Sequence, residues 1–217
     1  MAALRVLEAA GFEPVVPRSA VCCGLTYVTT GQLDAAREVL RRTLADLELA
    51  GDAPVLVLEP SCATSLRRDV GELLPGDARG ASLARRVRTL AELLEEAGWV
   101  PPAGEPRSAL VQPHCHQQAV LGTGADARLL SAAGITPTQT LHGCCGLAGS
   151  FGAEAGHEQI ARDVAELALL PALRTTPAGT EVLADGFSCR TQVEFLDGRR
   201  ARHLAEVLAD RLDAAPG

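Results

Sequence analysis

Hydrophobic positions along the chain alternate between two spacings. Over residues 32–49 and 157–173 apolar side chains recur at every third or fourth place, which is the stripe of a helix facing a core. Between these stretches come short continuous apolar runs, residues 55–58 and 181–184, of the length and composition of buried strands. Each run leads to a further helical stretch, Thr89-Leu90-Ala91-Glu92-Leu93-Leu94 and His203-Leu204-Ala205-Glu206-Val207-Leu208, with Leu-Ala-Glu in common. Strands that alternate with helices predict an α/β fold of short parallel sheets flanked by helices, joined by right-handed crossovers.

The pattern also repeats. Leu4-Arg5-Val6-Leu7-Glu8-Ala9-Ala10-Gly11 matches Ala127-Arg128-Leu129-Leu130-Ser131-Ala132-Ala133-Gly134. Each reads as a helix end stopped by glycine, followed by an extended segment with proline. The first leads to Cys22-Cys23-Gly24-Leu25 and the second to Cys144-Cys145-Gly146-Leu147. The apolar runs then end in Glu59-Pro60-Ser61-Cys62 and Asp185-Gly186-Phe187-Ser188-Cys189. The expectation is two tandem pseudo-repeated units, residues 1–100 and 107–217, divided by the Pro- and Gly-rich stretch 98–107. A counterpart of Cys115 in the first unit falls before Met1. The first repeat is therefore expected to be N-terminally truncated.

The length of 217 residues suits one large domain or two of about 100 residues. The net charge of -7 and the scarcity of aromatics argue against nucleic acid as a partner. The sequence holds no lysine, which excludes a P-loop lysine and a Schiff-base lysine. No apolar run reaches the ~18 residues of a transmembrane segment, and no secretory leader is visible. The expected location is cytoplasmic, with attachment to the inner face of a membrane only through a partner. In that setting 7 cysteines point to metal or redox chemistry rather than a disulfide framework.

Cys62, Cys115 and Cys189 each follow a short apolar strand, and in parallel sheets chemistry gathers at the carboxyl ends of strands. Four thiolates at one point make a site for zinc or for an iron–sulfur cluster. Cys115, Cys144, Cys145 and Cys189 form one candidate set; Cys22, Cys23 and Cys62 form a second with one member fewer. Adjacent cysteines face one centre only where the backbone turns sharply. Gly24 and Gly146 permit that turn and let amides approach sulfur. The alternatives are cysteines buried as small hydrophobes, zinc held from separate loops, and thiol–disulfide exchange. His114 and His116 flank Cys115 as ligands or as polar neighbours that tune the site, and His142 invites the same reading. His157 and His203 read as helix-start residues on solvated faces. Arg67, Arg68 and Arg190 either offset cluster charge, dock an anionic partner or line a solvated helix face. The loop Gly149-Ser150-Phe151-Gly152 reads either as a weak phosphate-binding loop or, preferred here, as a segment that shapes the site.

At these segments, with Cys22-Cys23-Gly24-Leu25-Thr26, His114-Cys115-His116-Gln117 and Cys144 to Gly152 the most specific, the chain resembles the cysteine-rich CCG domain family. That family includes the heterodisulfide reductase B subunit, glycolate oxidase iron–sulfur subunits and the C-terminal part of FAD-linked 2-hydroxyacid (D-lactate-type) dehydrogenases, the last being most similar. The resemblance implies an iron–sulfur cofactor of 4Fe-4S type, with zinc as the alternative in one site. It implies Cys115, Cys144, Cys145 and Cys189 as ligands of one site and Cys22, Cys23 and Cys62 of the other. The family's fullest pattern closes with C-x-x-C, where this chain has Ser65 and Gln192. The implied function is an electron-transfer module of an oxidoreductase, not catalytically complete by itself. FAD is expected only on an upstream region or a flavin-containing dehydrogenase partner, with a quinone-like electron acceptor downstream. A heterodisulfide-type redox component and a zinc-binding interaction module stand as alternatives.

Overall fold

The computed structural model describes residues 1–48 and 51–214. Leu49, the end of one expected helix, and residues 215–217, the end of the second expected unit, lie outside the described residues. The first half opens with α1 (Ala2–Ala9), which stops at Gly11 with φ +82°. The short α2 (Leu25–Thr29) follows. Next, α3 (Leu33–Glu48) buries Ala36, Leu40, Leu44 and Leu47 along one stripe. Strand β1 (Val55–Leu56) runs into α4 (Pro60–Arg67), where Pro60 sits in the first turn without needing an N–H partner. Helices α5 (Asp69–Leu73) and α6 (Ala78–Arg86) lead to β2 (Val87–Arg88) and α7 (Leu90–Glu96).

The second half opens with β3 (Arg107–Val111), a π-helical turn (Gln117–Leu121) and α8 (Gly124–Ala132). Then come β4 (Ile135–Thr140), a 3-10 turn (Phe151–Ala153), α9 (Glu158–Ala165) and α10 (Leu169–Thr175). Strand β5 (Glu181–Leu183), α11 (Phe187–Asp197), β6 (Ala201–Arg202) and α12 (Leu204–Ala214) complete it. The helix expected over 157–173 is thus two helices. Pro171 has no N–H for the carbonyl four residues back, so the chain breaks after Ala165 and restarts at Leu169. The strands end earlier than expected, at Leu56 and Leu183.

All strand pairs are parallel. β1 pairs β2 in one sheet; the other runs β4-β3-β5-β6. The α/β reading holds. β4 is an exposed edge strand with Pro137 inside it, and the register shifts beside Ala109. Its first-half counterpart, residues 12–16, forms no strand. Among the described residues, no strand equivalent to β3 lies beside it to pair with.

The two halves exchange helices. The main hydrophobic core joins Val6, Leu90 and Leu94 to Leu129, Ile135 and Leu208. α1 packs on α12, and α8 packs on α7. Arg5 on α1 pairs with Asp213 on α12, and Arg128 on α8 pairs with Glu95 on α7. Arg5 and Arg128 occupy equivalent places in the two repeats, so each half sends its first helix to the last helix of the other. The stretch 98–107 is held down: buried Arg211 donates from Nη2 to the Glu105 carbonyl at 2.8 Å, and a side chain at Gly104 would collide with its guanidinium.

Glu92 couples α7 to α4. Its carboxylate accepts from the Thr89 N–H at 2.8 Å in a capping box and receives both Arg67 amino groups. Arg67 therefore serves the fold and does not face the thiols. Replacing Glu92 with alanine removes a cap and half of a largely buried ion pair, and should cost about 1–2 kcal/mol of stability. Urea unfolding measures this; an unchanged midpoint would contradict it.

Candidate functional site

Parallel strands carry their loops to a shared edge. Cys115 lies just past the end of β3, Cys144 and Cys145 past β4, and Cys189 in the first turn of α11 past β5. The thiols of Cys115 and Cys145 hydrogen-bond Cys144, and Cys145 also meets Cys189. Cys145 and Cys189 are buried; Cys115 and Cys144 are half-buried. Hydrogen bonds from both neighbouring thiols hold Cys144 far below the usual thiol range, with the Gly146 and Ala148 amides assisting. The same bonds, with burial, push Cys115 and Cys145 up.

The Cys-Cys-Gly turn makes this convergence possible. Gly146 takes φ +100°, and its N–H points to the Cys144 Sγ at 3.3 Å. A Cβ on Gly146 would run into the Ala161 carbonyl on α9. Gly152 is also tightly packed: its Cβ would lie 2.8 Å from the Ala161 Cβ and 2.9 Å from the Gly146 carbonyl. The loop from Gly149 to Gly152 thus shapes the turn. Ala148 takes φ +45°, alone among the described non-glycine residues in the left-handed region, and lies directly beyond it.

The first group is more open. Cys23 and Cys62 stand with their sulfurs 2.9 Å apart, while Cys22 is exposed at their side. Gly24, at φ +77°, directs its N–H to the Cys22 Sγ at 3.4 Å. Thr43 on α3 anchors the turn, accepting from the Cys22 N–H and donating to its carbonyl. The hydrogen bond from Cys62 lowers Cys23 to about 7. That bond and burial push Cys62 up.

His114 and His116 stand edge to face, with ring centroids 5.3 Å apart. His114 is buried, which lowers its pKa, and its Nδ1 accepts from the His116 N–H at 3.2 Å. Its ring fills the space where a side chain on Gly186 would stand. The His116 carbonyl lies 3.4 Å from the Thr64 hydroxyl of α4, so this loop touches the helix that carries Cys62. The other candidates have different places. His142 is exposed and meets Gln118. His157 lies against the Phe151 ring, and Arg190 donates to the Ala184 and Asp185 carbonyls. His203 is not solvated as expected: its ring reaches across to the Leu58 carbonyl at 3.1 Å and is only 12% exposed.

Among the described residues, no group of three or more His, Cys, Asp or Glu side chains is arranged around a single metal-ion position. The donors are thiols, which ligate zinc or iron–sulfur clusters alike. Two observations favour such a guest. Amide N–H groups already point at Cys144, and the buried His116 Nδ1 has no hydrogen-bond partner.

Sequence reasoning passed over Asp126, which reads as an ordinary acid in the first turn of α8. Its carboxyl faces a small cavity lined by Val111, Gln112, Gln117, Leu183 and Asp185, behind the Cys115 loop. Gln117 donates to it at 2.9 Å. Burial, with the Asp185 charge adding, raises it to about 7.

Residues 1–67 match the family of the cysteine-rich domain CCG. The chain is 26% identical over 220 residues to a D-2-hydroxyglutarate dehydrogenase of Escherichia coli K12, covering 95% of this chain and 20% of that protein. It is 24% identical to an anaerobic glycerol-3-phosphate dehydrogenase subunit of the same organism, covering 96% of this chain and 54% of that protein. It is 25% identical to a lactate utilization protein A of Bacillus velezensis, covering 97% of this chain and 92% of that protein. The chain therefore spans about a fifth of the D-2-hydroxyglutarate dehydrogenases and about half of the glycerol-3-phosphate dehydrogenase subunit.

Two outcomes follow from this geometry. Gly146→Ala meets a backbone carbonyl and should cost about 2–4 kcal/mol, whereas Gly24→Ala, with its nearest contact at 3.4 Å, should cost about 1 kcal/mol. Equal losses in urea unfolding would contradict the packing. Asp126 has a raised folded-state pKa, so its contribution is fully present below the ordinary carboxylate range and is lost as pH rises toward 7. Asp126→Asn keeps an acceptor for Gln117 and should stabilise the chain by about 1 kcal/mol at pH 8, with a smaller or no gain at pH 4. A gain that does not depend on pH would contradict the assignment.

Proposed function

We propose that the chain is an iron–sulfur electron-transfer module of a flavin-linked 2-hydroxyacid oxidoreductase. It would carry electrons from a flavin on a dehydrogenase domain or subunit to a downstream acceptor of quinone type. The observation that carries this reading is the meeting of Cys115, Cys144, Cys145 and Cys189 at the ends of three parallel strands. Support comes from relatives named for D-2-hydroxyglutarate and lactate, which both place a hydroxyl beside a carboxylate. No helix among the described residues is long and apolar enough to cross a membrane.

When bound, an iron–sulfur cluster takes up and releases single electrons. The chain's own residues set the conditions for that. Cys115, Cys144, Cys145 and Cys189 are proposed as the ligands in residues 107–217, and Cys22, Cys23 and Cys62 as a smaller set in residues 1–100. The Gly146 and Ala148 amides favour electron density on the Cys144 sulfur. Burial of Cys145, Cys189 and His114 keeps water away from the inner side. The thiols of Cys62, Cys115 and Cys145 hold their protons in the metal-free chain, so ligation must release them.

Anaerobic reconstitution with iron and sulfide tests the assignment. The chain should take up both, and Cys144→Ala or Cys189→Ala should lose most of the uptake. Cys22→Ala should lose less, because that thiol stands exposed beside its group. Equimolar zinc without iron or sulfide would overturn the reading in favour of a zinc-binding module.

A further inference from the structure

We propose that Glu59 is a positioning residue that ties the two cysteine groups together, its one carboxylate joining the helix that carries Cys62 to the helix that carries Cys189. One oxygen accepts from the Ser61 hydroxyl at 2.8 Å and the Ser61 N–H at 3.4 Å, at the start of α4. The other accepts from the Phe187 N–H at 2.7 Å, at the start of α11. The first N–H groups of a helix have no partner within the helix and carry partial positive charge. Here two such ends, from opposite halves, point at one side chain. Each presents a cysteine in its first turn, so the anchor fixes both sulfurs relative to each other.

The neighbourhood supports a junction rather than a single cap. Within the same seam the His203 ring meets the Leu58 carbonyl, and the Thr64 hydroxyl meets the His116 carbonyl. An added electron near this carboxylate is opposed by its charge, so Glu59 holds down the reduction potential of whatever redox centre the thiols bind. This last consequence rests on the proposed iron–sulfur reading; the positioning role does not.

Substitutions at Glu59 in the full chain separate these points. Glutamine has one acceptor oxygen in place of two, so it can serve one helix end but not both. In the metal-free protein, Glu59→Gln and Glu59→Ala should speed amide hydrogen exchange at Phe187. They should also raise several-fold the alkylation rate of Cys189, which is 1% exposed and belongs to the other half. If only Ser61 and Cys62 respond, Glu59 caps α4 alone and the junction is refuted. In the iron-loaded protein, Glu59→Gln should move the reduction potential of the bound centre upward, and Glu59→Asp, which keeps the charge, should stay closer to wild type. A potential unchanged by Glu59→Gln would overturn the electrostatic role. Failure to load iron would count against the redox reading and leave the metal-free measurements to decide the positioning role.

Discussion

Neighbouring side chains on an extended backbone point away from each other. Bringing Cys144 and Cys145 into one thiol group therefore requires the backbone between them to leave the extended form, and the turn at Gly146, φ +100°, follows directly. The turn is not held by glycine freedom alone. The Ala161 carbonyl fills the volume a Cβ would need, Gly152 packs against the Gly146 carbonyl, and Ala148 follows in a left-handed conformation. Packing of α9 against the turn thus fixes where both sulfurs lie. The thiol hydrogen bonds and the amide N–H groups aimed at Cys144 depend on that geometry.

The parallel sheet supplies the remaining ligands without special devices. β3, β4 and β5 run the same way, so Cys115, the Cys144–Cys145 pair and Cys189 emerge at one edge. The exchange of first helices between halves then holds the smaller cysteine group beside the larger. Arg5 with Asp213 and Arg128 with Glu95 mark this exchange at equivalent places. Exposed ion pairs of this kind add little stability individually. The shared apolar core around Leu94, Leu129 and Leu208 dominates the association.

Much of this was legible in the sequence, and what was not has physical reasons. Apolar runs gave the positions of β1 and β5, glycines 11 and 134 gave helix ends, and the doubled Cys-Cys-Gly gave the two sharp turns at Gly24 and Gly146. Periodicity ran straight through residues 157–173 because a hydrophobic stripe does not register the missing N–H of Pro171. The strand-like residues 12–16 stayed unpaired because a ladder needs a neighbour that pattern alone does not supply. Glu59 was visible in its motif but its bridging bond was not, because its partner Phe187 lies 128 residues away and such long-range bonds leave no local pattern. Asp126 was hidden for the opposite reason: an acid in the first turn of a helix is ordinary until its burial is known.

Sulfur ligation, in the group beside Gly146, is the centre of the proposed chemistry. X-ray absorption at the iron edge of the anaerobically reconstituted chain tests this most directly. The expected spectrum shows a first shell of sulfur with iron–iron scattering beyond it, lost when Cys144 and Cys145 are both replaced by serine and retained when Cys22 is. A first shell of oxygen and nitrogen without iron–iron scattering, or a spectrum indifferent to Cys144 and Cys145, would contradict it.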